Sequence, residues 1–305
     1  MDIVILDGHS INPGDLSWSK LEAFCDNITV YDKSDPDVIQ ERIGDCEILM
    51  TSKCKITRDI LSNAPNLKYI GSTATGYNNI DVEAAADLGI AVTNIPAYAT
   101  DAVAQHTIAL ILELTNNVGL HNASVQSGGW TNSEFFCYWE KPIILLKGKS
   151  LGIIGYGAIG KKVAEMASAL GMEINVYSKD PEAAVRSDFL TLHCPLTAEN
   201  EKFINKDFID NMKHGAVLVN TARGGLIDEE AVADALKDGR LAAAAVDVLT
   251  TEPPAADCPL IGLDNCILTP HLAWAPKEMR VEIIDVLAEN LESWLNNETL
   301  NRVDL

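Results

Sequence analysis

Three side chains in the C-terminal half of the chain, Arg223, Glu252 and His271, each follow an apolar run that is typical of a β-strand. An arginine binds a carboxylate through two parallel N–H groups. A histidine titrates near neutral pH and can pass a proton, and a neighbouring carboxylate favours its protonated form. The set therefore suits the reduction of a 2-oxo acid, whose carboxylate must be held and whose carbonyl oxygen must be protonated as hydride arrives.

Each of the three residues has a plainer explanation when it is taken alone. Arg223 could be a surface residue in a turn, Glu252 could cap a helix, and His271 could be a core histidine. The predicted strands that precede them begin at Ala216, Leu241 and Cys266. The carboxyl ends of strands in a doubly wound sheet converge on one crevice. Their shared position at strand ends, in a segment that follows a dinucleotide motif in the sequence, favours a catalytic role over the three plainer explanations.

The dinucleotide motif runs from Leu151 to Gly160, where an apolar run meets three glycines spaced G-x-G-x-x-G. We predict a buried strand and then a tight turn that Gly155 permits. The helix that follows would offer free N–H groups to a pyrophosphate, which approaches the backbone at Gly157, while Gly160 lets helix and strand pack closely. A second strand at 173–178 completes the unit. The predicted dinucleotide site also includes Ala158 and Ile159.

The first hundred residues alternate short apolar strands with helical stretches. This alternation predicts a parallel sheet covered by helices on both faces, without the glycine pattern of a nucleotide-binding fold. The predicted strands are 3–6, 28–31, 47–50, 68–70 and 90–93. The predicted helices lie near 17–26, 36–43, 57–63 and 81–88, and Thr57 is expected to cap the third.

The segment from Ser72 to Asp81 (STATGYNNID) lies just past one of these strands, where ligands of open α/β sheets bind. Its small residues could present consecutive N–H groups to an anion. It could equally be an ordinary turn before a helix capped by Asp81. Lys53 follows a strand that ends at the same edge, and it is either a basic partner of this loop or a solvated charge.

The apolar segment from Ala102 to Leu120 predicts one long buried helix, capped by Thr100 or Asp101. Within it, we expect His106 to be a core histidine with one hydrogen-bond partner. Residues 128–139 are unusually aromatic for a chain with 6% aromatic residues. This segment could dock on a second subunit, since aromatic residues favour interface cores, or it could close over its own domain.

The length of 305 residues and the mass of 33.0 kDa suit two domains. A formal charge of −21 argues against broad binding to nucleic acid or anionic membrane, and an anionic substrate would need a locally basic pocket.

No apolar run approaches the ~20 residues of a membrane span, and the N-terminus lacks the basic segment of a signal peptide. Seven cysteines without CxxC pairing favour reduced thiols in a cytoplasm over disulfides or a metal site.

Taken together, the motifs resemble the D-isomer-specific 2-hydroxyacid dehydrogenase family over essentially the full length of the chain. LGIIGYGAIGKKVA is similar to the family's cofactor loop, SDFLTLHCPLT to its adenosine-side loop and ATGYNNID to its substrate loop. NTARGGLIDEEAVADAL carries the family arginine, VDVLTTEPP its glutamate and LTPHLAW its histidine. DGHSINPGDLSW, ATDAVAQHTIALILELT and FCYW are most similar to the glycerate dehydrogenases, also called hydroxypyruvate reductases.

This resemblance implies an α/β protein of two doubly wound parallel-sheet domains with a cleft between them. One would be a flavodoxin-like substrate domain of residues 1–98 and 284–305. The other would be a Rossmann domain of residues 99–283 that binds NAD or NADP. Dimerisation through the cofactor domain is usual in the family, which favours the interface interpretation of the aromatic segment and implies a homodimer.

The resemblance also implies roles for individual residues. The substrate carboxylate would be bound by the Thr75 and Gly76 amides together with Arg223. Lys53 is a further candidate for the substrate site, from its position after a strand and not from the resemblance. Asp247 would hold the nicotinamide carboxamide. The remaining implied cofactor contacts are Ser178, Lys179, His193, Cys194, Pro195, Thr221, Ala222 and Arg223.

Two features depart from the family pattern. Ser178 stands where NAD-specific members place the acidic residue that binds the ribose 2′-hydroxyl, and Lys179 follows it. A cation in place of a carboxylate removes the repulsion against a 2′-phosphate, so NADP should at least be tolerated. The segment 180–188 is shorter than in most relatives, so we expect a strand and part of a helix near the adenine to be missing.

The leading hypothesis is a cytoplasmic NAD(P)-dependent reductase that converts hydroxypyruvate or glyoxylate to D-glycerate or glycolate. Reductases that form lactate, phenyllactate or branched-chain hydroxy acids share the same catalytic residues and remain alternatives. A dinucleotide-sensing regulatory protein of the corepressor type is a further alternative, disfavoured because all three catalytic residues are retained.

Overall fold

The computed structural model describes all 305 residues and divides them into two compact units. Unit 1 comprises Met1–Tyr98 and Ala275–Leu305, and unit 2 comprises Ala99–Trp274. Each unit contains one sheet in which every pair of neighbouring strands is parallel. None of the helices is both long enough and apolar enough to span a membrane.

Unit 1 has the predicted alternation of strands and short helices. Its elements are β1 (Asp2–Ile5), α1 (Ser19–Glu22), β2 (Asn27–Val30), α2 (Ile39–Ile43), β3 (Ile48–Thr51), α3 (Arg58–Ser62), β4 (Tyr69–Ser72), α4 (Val82–Asp87) and β5 (Ala91–Thr93). The strand order β2-β1-β3-β4-β5 is that of a flavodoxin-like sheet, as expected. The Thr57 side chain accepts a hydrogen bond from the Ile60 amide, which confirms the predicted cap of α3.

Unit 2 has a six-stranded sheet with helices on both faces. Its elements are α5 (Thr100–Asn116), α6 (Val118–Gln126), β6 (Ser150–Ile154), α7 (Ala158–Ala169), β7 (Glu173–Val176), α8 (Pro181–Val185), β8 (Phe189–Leu192), α9 (Lys206–Asn211), β9 (Ala216–Asn220), α10 (Glu229–Lys237), β10 (Leu241–Val246) and β11 (Cys266–Leu268). The strand order is β7-β6-β8-β9-β10-β11. Consecutive residues such as Phe189 and Leu190 belong to separate apolar clusters, one on each face, so the sheet lies at the centre of the unit.

The edge of this sheet bears out the expected loss of a strand. A Rossmann sheet has the order 3-2-1-4-5-6, with a third strand outside the second. Here β7 is itself the edge strand, and the five residues of α8 lead directly to β8 on the other side of β6. Helix α8 lies so close to β6 that a Cβ on Gly152 would meet the Ala184 carbonyl oxygen at 2.2 Å. The shortened crossover therefore needs a glycine in β6.

The prediction of one long helix at 102–120, capped by Thr100 or Asp101, is wrong in two respects. The helix ends at Asn116, because Asn117 adopts the left-handed conformation (φ 50°) that asparagine tolerates at a helix C-terminus. A second helix, α6, follows and buries none of its residues. The N-cap is Ala99, without a side-chain hydrogen bond, in place of the expected Thr100 or Asp101.

The final helix, α11 (Lys277–Leu295), belongs as a whole to unit 1. The break between units lies at Trp274 and Ala275, not at the implied residues 283 and 284. The physical reason is that the first turns of α11 are already anchored there: Arg280 donates to the Ile11 carbonyl and to both carboxylate oxygens of Asp15. Near its end, Trp294 packs on Tyr69 with ring centroids 5.1 Å apart.

The segment after α6, which we call the aromatic arm (residues 128–139), has no regular structure. Some of its polar groups are bonded within the arm, as in the hydrogen bond from the Trp130 indole N–H to the Phe136 carbonyl. Its large apolar side chains point to solvent, with Phe136 90%, Phe135 73% and Trp139 66% exposed. The arm therefore does not bury these side chains on its own unit.

Candidate active site

The segments that carry Arg223, Glu252 and His271 leave unit 2 from three neighbouring strands. Val246 at the end of β10 is in register with Asn220 of β9 and with Leu268 of β11. The backbone continues to pair beyond the strands, because the Asp247 amide donates to the Asn220 carbonyl and the His271 amide donates to the Asp247 carbonyl. The structure thus brings the three segments to one edge of the sheet.

Glu252 and His271 are in direct contact. His271 Nδ1 lies 2.6 Å from Glu252 Oε2, and the two side chains are 30% and 32% exposed. The other carboxylate oxygen of Glu252 accepts from the Leu249 amide at 2.9 Å, which fixes the carboxylate beside the imidazole. A partly exposed imidazole held by an anchored carboxylate is arranged to donate and accept protons. It is not the core histidine of the plainer explanation.

Arg223 is held near this pair by a turn and a glycine contact. The buried Asn220 side chain donates to the Arg223 carbonyl and accepts from the Ala222 amide, which closes the turn between them. A Cβ on Gly224 would lie 2.0 Å from the Leu249 carbonyl carbon, so the arginine and glutamate loops touch there. The Arg223 guanidinium is exposed and forms no ion pair, and it is therefore available for a carboxylate.

Asp247 is a buried anchor for the histidine loop. Its carboxylate accepts from the Thr269 hydroxyl at 2.5 Å and from the amides of Leu272 and Ala273 at 3.0 Å. Burial acts to raise the pKa of Asp247, but hydrogen bonds from His106, Thr269 and the two amides outweigh it, and the pKa is lowered. These bonds enclose His271, whose backbone lies in the left-handed region (φ 51°) that side-chain-bearing residues rarely adopt.

The implied contact of Asp247 with a nicotinamide carboxamide does not agree with this geometry. The Asp247 side chain has no exposed surface, and both of its oxygens are already bonded within the protein. Its carboxylate therefore holds the loop and is not presented to a ligand. Sequence reasoning also missed Asn220, although an asparagine before a tight turn is a known signal, and it missed Thr269, which no local signal marks.

The glycine loop has the geometry that a dinucleotide requires. Gly155 has φ +93°, and a Cβ there would lie 2.4 Å from the Cys194 nitrogen. A Cβ on Gly160 would meet the Gly155 carbonyl oxygen at 2.1 Å, whereas Gly157 faces open space. The Gly157, Ala158 and Ile159 amides donate no hydrogen bond within the chain. These residues fit a pyrophosphate at the N-terminus of the 12-residue helix α7.

The predicted contacts at 193–195 and 221–222 lie around the glycine loop and the arginine turn. The His193 amide donates to the Ile154 carbonyl, which places the His193–Pro195 segment beside Gly155. Burial lowers the pKa of His193 to about 3, and its buried Nδ1 has no hydrogen-bond partner. The Thr221 side chain is buried and bonded to the Thr107 hydroxyl, so only the backbone of Thr221 can face a ligand.

Ser178 and Lys179 are exposed just beyond β7. The Lys179 ammonium lies 5.5 Å from the ring centroid of Tyr156, a residue of the glycine loop. Asp180, the acidic residue closest in sequence, caps α8 by accepting from the Ala183 amide. The cation beside the loop makes this corner suited to an anionic group.

In unit 1, Lys53, Thr75 and Gly76 follow the neighbouring strands β3 and β4. The buried Asp7 carboxylate accepts from the amides of Ser52, Lys53 and Cys54, which fixes the Lys53 loop. The Asn79 side chain donates to the Cys54 carbonyl and joins this loop to the next. The Thr75 and Gly76 amides donate no hydrogen bond within the chain and remain available to an anion.

Asp81 does accept from the Ala84 amide, so the segment before it also serves as a helix N-cap. The two interpretations of this loop are therefore compatible, because the cap uses its last residue and the free amides lie at its centre.

The fold and these residues define a dinucleotide-binding α/β oxidoreductase, and comparisons with known proteins narrow the class. The family model of the NAD-binding domain of D-isomer specific 2-hydroxyacid dehydrogenases matches residues 108–273. The chain is 44% identical to a hydroxypyruvate reductase of Blautia hydrogenotrophica over 100% of both chains. It is 40% identical to a glycerate dehydrogenase of Methylorubrum extorquens over 88% of this chain and 89% of that one.

Two solved structures match the whole fold. An acyclic imino acid reductase in complex with NADPH and D-Arg has a TM-score of 0.83 and 30% identity, covering 99% of this chain and 100% of that one. The D-lactate dehydrogenase of Aquifex aeolicus, complexed with NAD and lactic acid, has a TM-score of 0.83 and 26% identity, covering 100% and 99%. The chain belongs to the D-isomer-specific 2-hydroxyacid dehydrogenase family.

The contact between Glu252 and His271 leads to a prediction with a matched control. Glu252→Gln keeps the shape and the hydrogen bond to Leu249 but removes the charge that stabilises a protonated His271. We expect kcat/KM for 2-oxo acid reduction to fall by roughly 10-fold or more. Glu229→Gln is the control, because Glu229 accepts from the neighbouring Thr250 amide. Steady-state kinetics that show equal losses in the two variants would contradict the assignment.

Proposed function

We propose that the chain is an NAD(P)-dependent reductase of hydroxypyruvate or glyoxylate, forming D-glycerate or glycolate. The observation that carries the proposal is the anchored Glu252–His271 pair beside the unpaired Arg223. The names of the two sequence relatives, hydroxypyruvate reductase and glycerate dehydrogenase, support the choice of substrate. Nothing in these relatives supports the regulatory alternative.

In the proposed reaction, Arg223 binds the substrate carboxylate through its guanidinium fork. His271 in its protonated form donates a proton to the carbonyl oxygen at C2, and Glu252 stabilises the imidazolium before the transfer. Gly157 and the first turn of α7 would hold a reduced dinucleotide by its pyrophosphate, and that cofactor would supply the hydride for C2. The products are the 2-hydroxy acid and the oxidised dinucleotide, and His271 regains its proton from solvent.

The residues of unit 1 have a proposed role in substrate recognition. The free amides of Thr75 and Gly76 can bind a carboxylate, as an anion nest does. Lys53 adds a positive charge on the loop that Asp7 fixes. Both features suit a small, strongly anionic substrate.

The test is a panel of 2-oxo acids with NADH and NADPH. Hydroxypyruvate and glyoxylate should give the highest kcat/KM, ahead of pyruvate, phenylpyruvate and 2-oxoisocaproate. His271→Ala should lower kcat by roughly 10²–10⁴-fold because the proton donor is lost. Tight cofactor binding without turnover of any acid would instead favour a dinucleotide sensor, and near-wild-type turnover in folded His271→Ala would refute the proton-donor assignment.

We further propose that the chain accepts NADP. Ser178 carries no carboxylate that would repel a 2′-phosphate, and the exposed Lys179 beside Tyr156 adds a cation next to it. The imino acid reductase of the same fold is complexed with NADPH, which supports a 2′-phosphate in this scaffold.

Ser178→Asp tests this proposal by restoring the acidic residue. Its carboxylate would repel the 2′-phosphate and accept from a ribose 2′-hydroxyl, so we expect the Kd for NADPH to rise by about 10-fold or more while that for NADH does not. Calorimetric titration measures both. Ser168→Asp is the control, because it adds the same charge in the last turn of α7, about 16 Å along the helix from Gly157. It should leave the ratio of the two Kd values unchanged. An unchanged ratio of the two Kd values in Ser178→Asp would oppose the proposal.

We also propose that the chain forms a homodimer through the aromatic arm and α6. Monomeric proteins rarely expose contiguous large apolar patches, and here the side chains of Phe135, Phe136 and Trp139 are all exposed. Seven free cysteines are compatible with the proposed reducing cytoplasm.

A charge on the arm should separate the subunits. Phe136→Asp should change the mass measured by light scattering from twice the chain mass of 33.0 kDa to the single chain mass. Leu88→Asp is the control, because Leu88 is an apolar residue of unit 1, outside the arm and α6, and is 46% exposed. A wild-type monomer at micromolar concentration, or a dimeric Phe136→Asp variant, would exclude the arm as the interface.

A further inference from the structure

His106 in α5 contacts the buried network that holds the histidine loop. Its Nε2 lies 3.2 Å from the Thr269 hydroxyl oxygen and 3.5 Å from Asp247 Oδ1. The side chain is 17% exposed, and α5 packs against the strands β9 and β10. It is therefore more than a core histidine with one partner, because both of its neighbours belong to the structure around His271.

The donor and acceptor roles in this network follow from the inventory of protons. A threonine hydroxyl donates once, and here it donates to Asp247. The Thr269 oxygen must then accept at its contact with His106, so His106 Nε2 carries the proton and donates it. The hydrogen bonds therefore all donate in one direction, from His106 to Thr269 and from Thr269 to Asp247.

This series of hydrogen bonds restrains the backbone on both sides of His271. Thr269 lies two residues before His271, and Asp247 binds the amides of Leu272 and Ala273 directly after it. His271 itself has a positive φ, which a non-glycine residue keeps only where surrounding contacts impose it. Loss of the His106 side chain would remove the donor that holds Thr269 and Asp247 from the α5 side and would weaken that restraint.

We propose that His106 is a positioning residue, which through Thr269 and Asp247 holds the backbone of His271 so that its imidazole meets Glu252. The proposal rests on the proposed role of His271 as proton donor. His106 does not itself contact substrate or cofactor in this assignment. Its effect is on geometry alone.

The test combines two substitutions with a conservative rescue. His106→Leu removes the donor and keeps side-chain bulk, and Thr269→Val removes the hydroxyl at nearly constant volume. A displacement of about 1 Å can cost up to about 100-fold, so each variant should lose roughly 10-fold to 100-fold in kcat while KM for the oxo acid and Kd for the dinucleotide stay unchanged. Thr269→Ser restores the hydroxyl and should recover most of kcat.

A matched control separates this effect from the loss of any buried hydroxyl. Thr115→Val in the same helix α5 removes a buried hydroxyl that bonds only within its own helix region and to Asn116. It should leave kcat unchanged. The double variant His106→Leu/Thr269→Val should lose no more than either single variant, because the two residues act as one unit.

The second readout does not depend on activity. The imidazole ¹⁵N resonances of His271, assigned by their absence in His271→Gln, report the Nδ1 contact with Glu252. They should change in His106→Leu and Thr269→Val and be restored in Thr269→Ser. Unchanged resonances in both variants, or changed resonances with unchanged kcat, would overturn the proposal. If the wild type reduces none of the oxo acids, the proposed reaction fails, and the resonances alone still decide whether His106 positions His271.

Discussion

The register of β9, β10 and β11 is the constraint on which the candidate site depends. Asn220, Val246 and Leu268 lie side by side, so the next residues of all three strands enter one small region of unit 2. Two of the residues there, Asn220 and Asp247, are polar and buried. Buried polar groups must be hydrogen-bonded to be tolerated, and the partners here are backbone groups of the loops and the Thr269 hydroxyl. The hydrogen bonds that satisfy the Asn220 and Asp247 side chains therefore also determine the conformation of the loops.

Close approach of backbones is the second constraint, and it explains which glycines are needed. Gly224 lies against Leu249, and Gly155 lies against the His193–Cys194 peptide, at distances that exclude any Cβ. Gly157 differs, because a Cβ there would meet no atom of the chain. A glycine without a neighbour is best explained by a ligand that approaches the backbone at this point. Glycine is thus required for packing at two of these positions, and for the third we propose a role in binding.

Local pattern predicted the strands of both units and the residues that follow them, because alternation and strand ends are local properties. The catalytic candidates were accessible for the same reason. The break of the long helix at Asn117, the inclusion of all of α11 in unit 1 and the burial of the Asp247 carboxylate were not. Each depends on a tertiary contact: a left-handed asparagine, the Arg280–Asp15 pair, and donors from Thr269 and two amides. Periodicity contains no information about such partners.

Charge distribution connects the candidate sites with the strongly acidic composition. The chain has 44 acidic and 23 basic residues, so carboxylates are abundant as partners for cations. Arg280 and Lys213 are paired with carboxylates in this way. Lys53, Lys179 and Arg223 form no ion pair, although they lie in the regions assigned to anionic ligands. An unpaired cation retains its full attraction for a carboxylate or phosphate, which a chain of net charge −21 would otherwise repel at long range. We propose that these three residues supply locally the positive charge that an anionic substrate or cofactor needs.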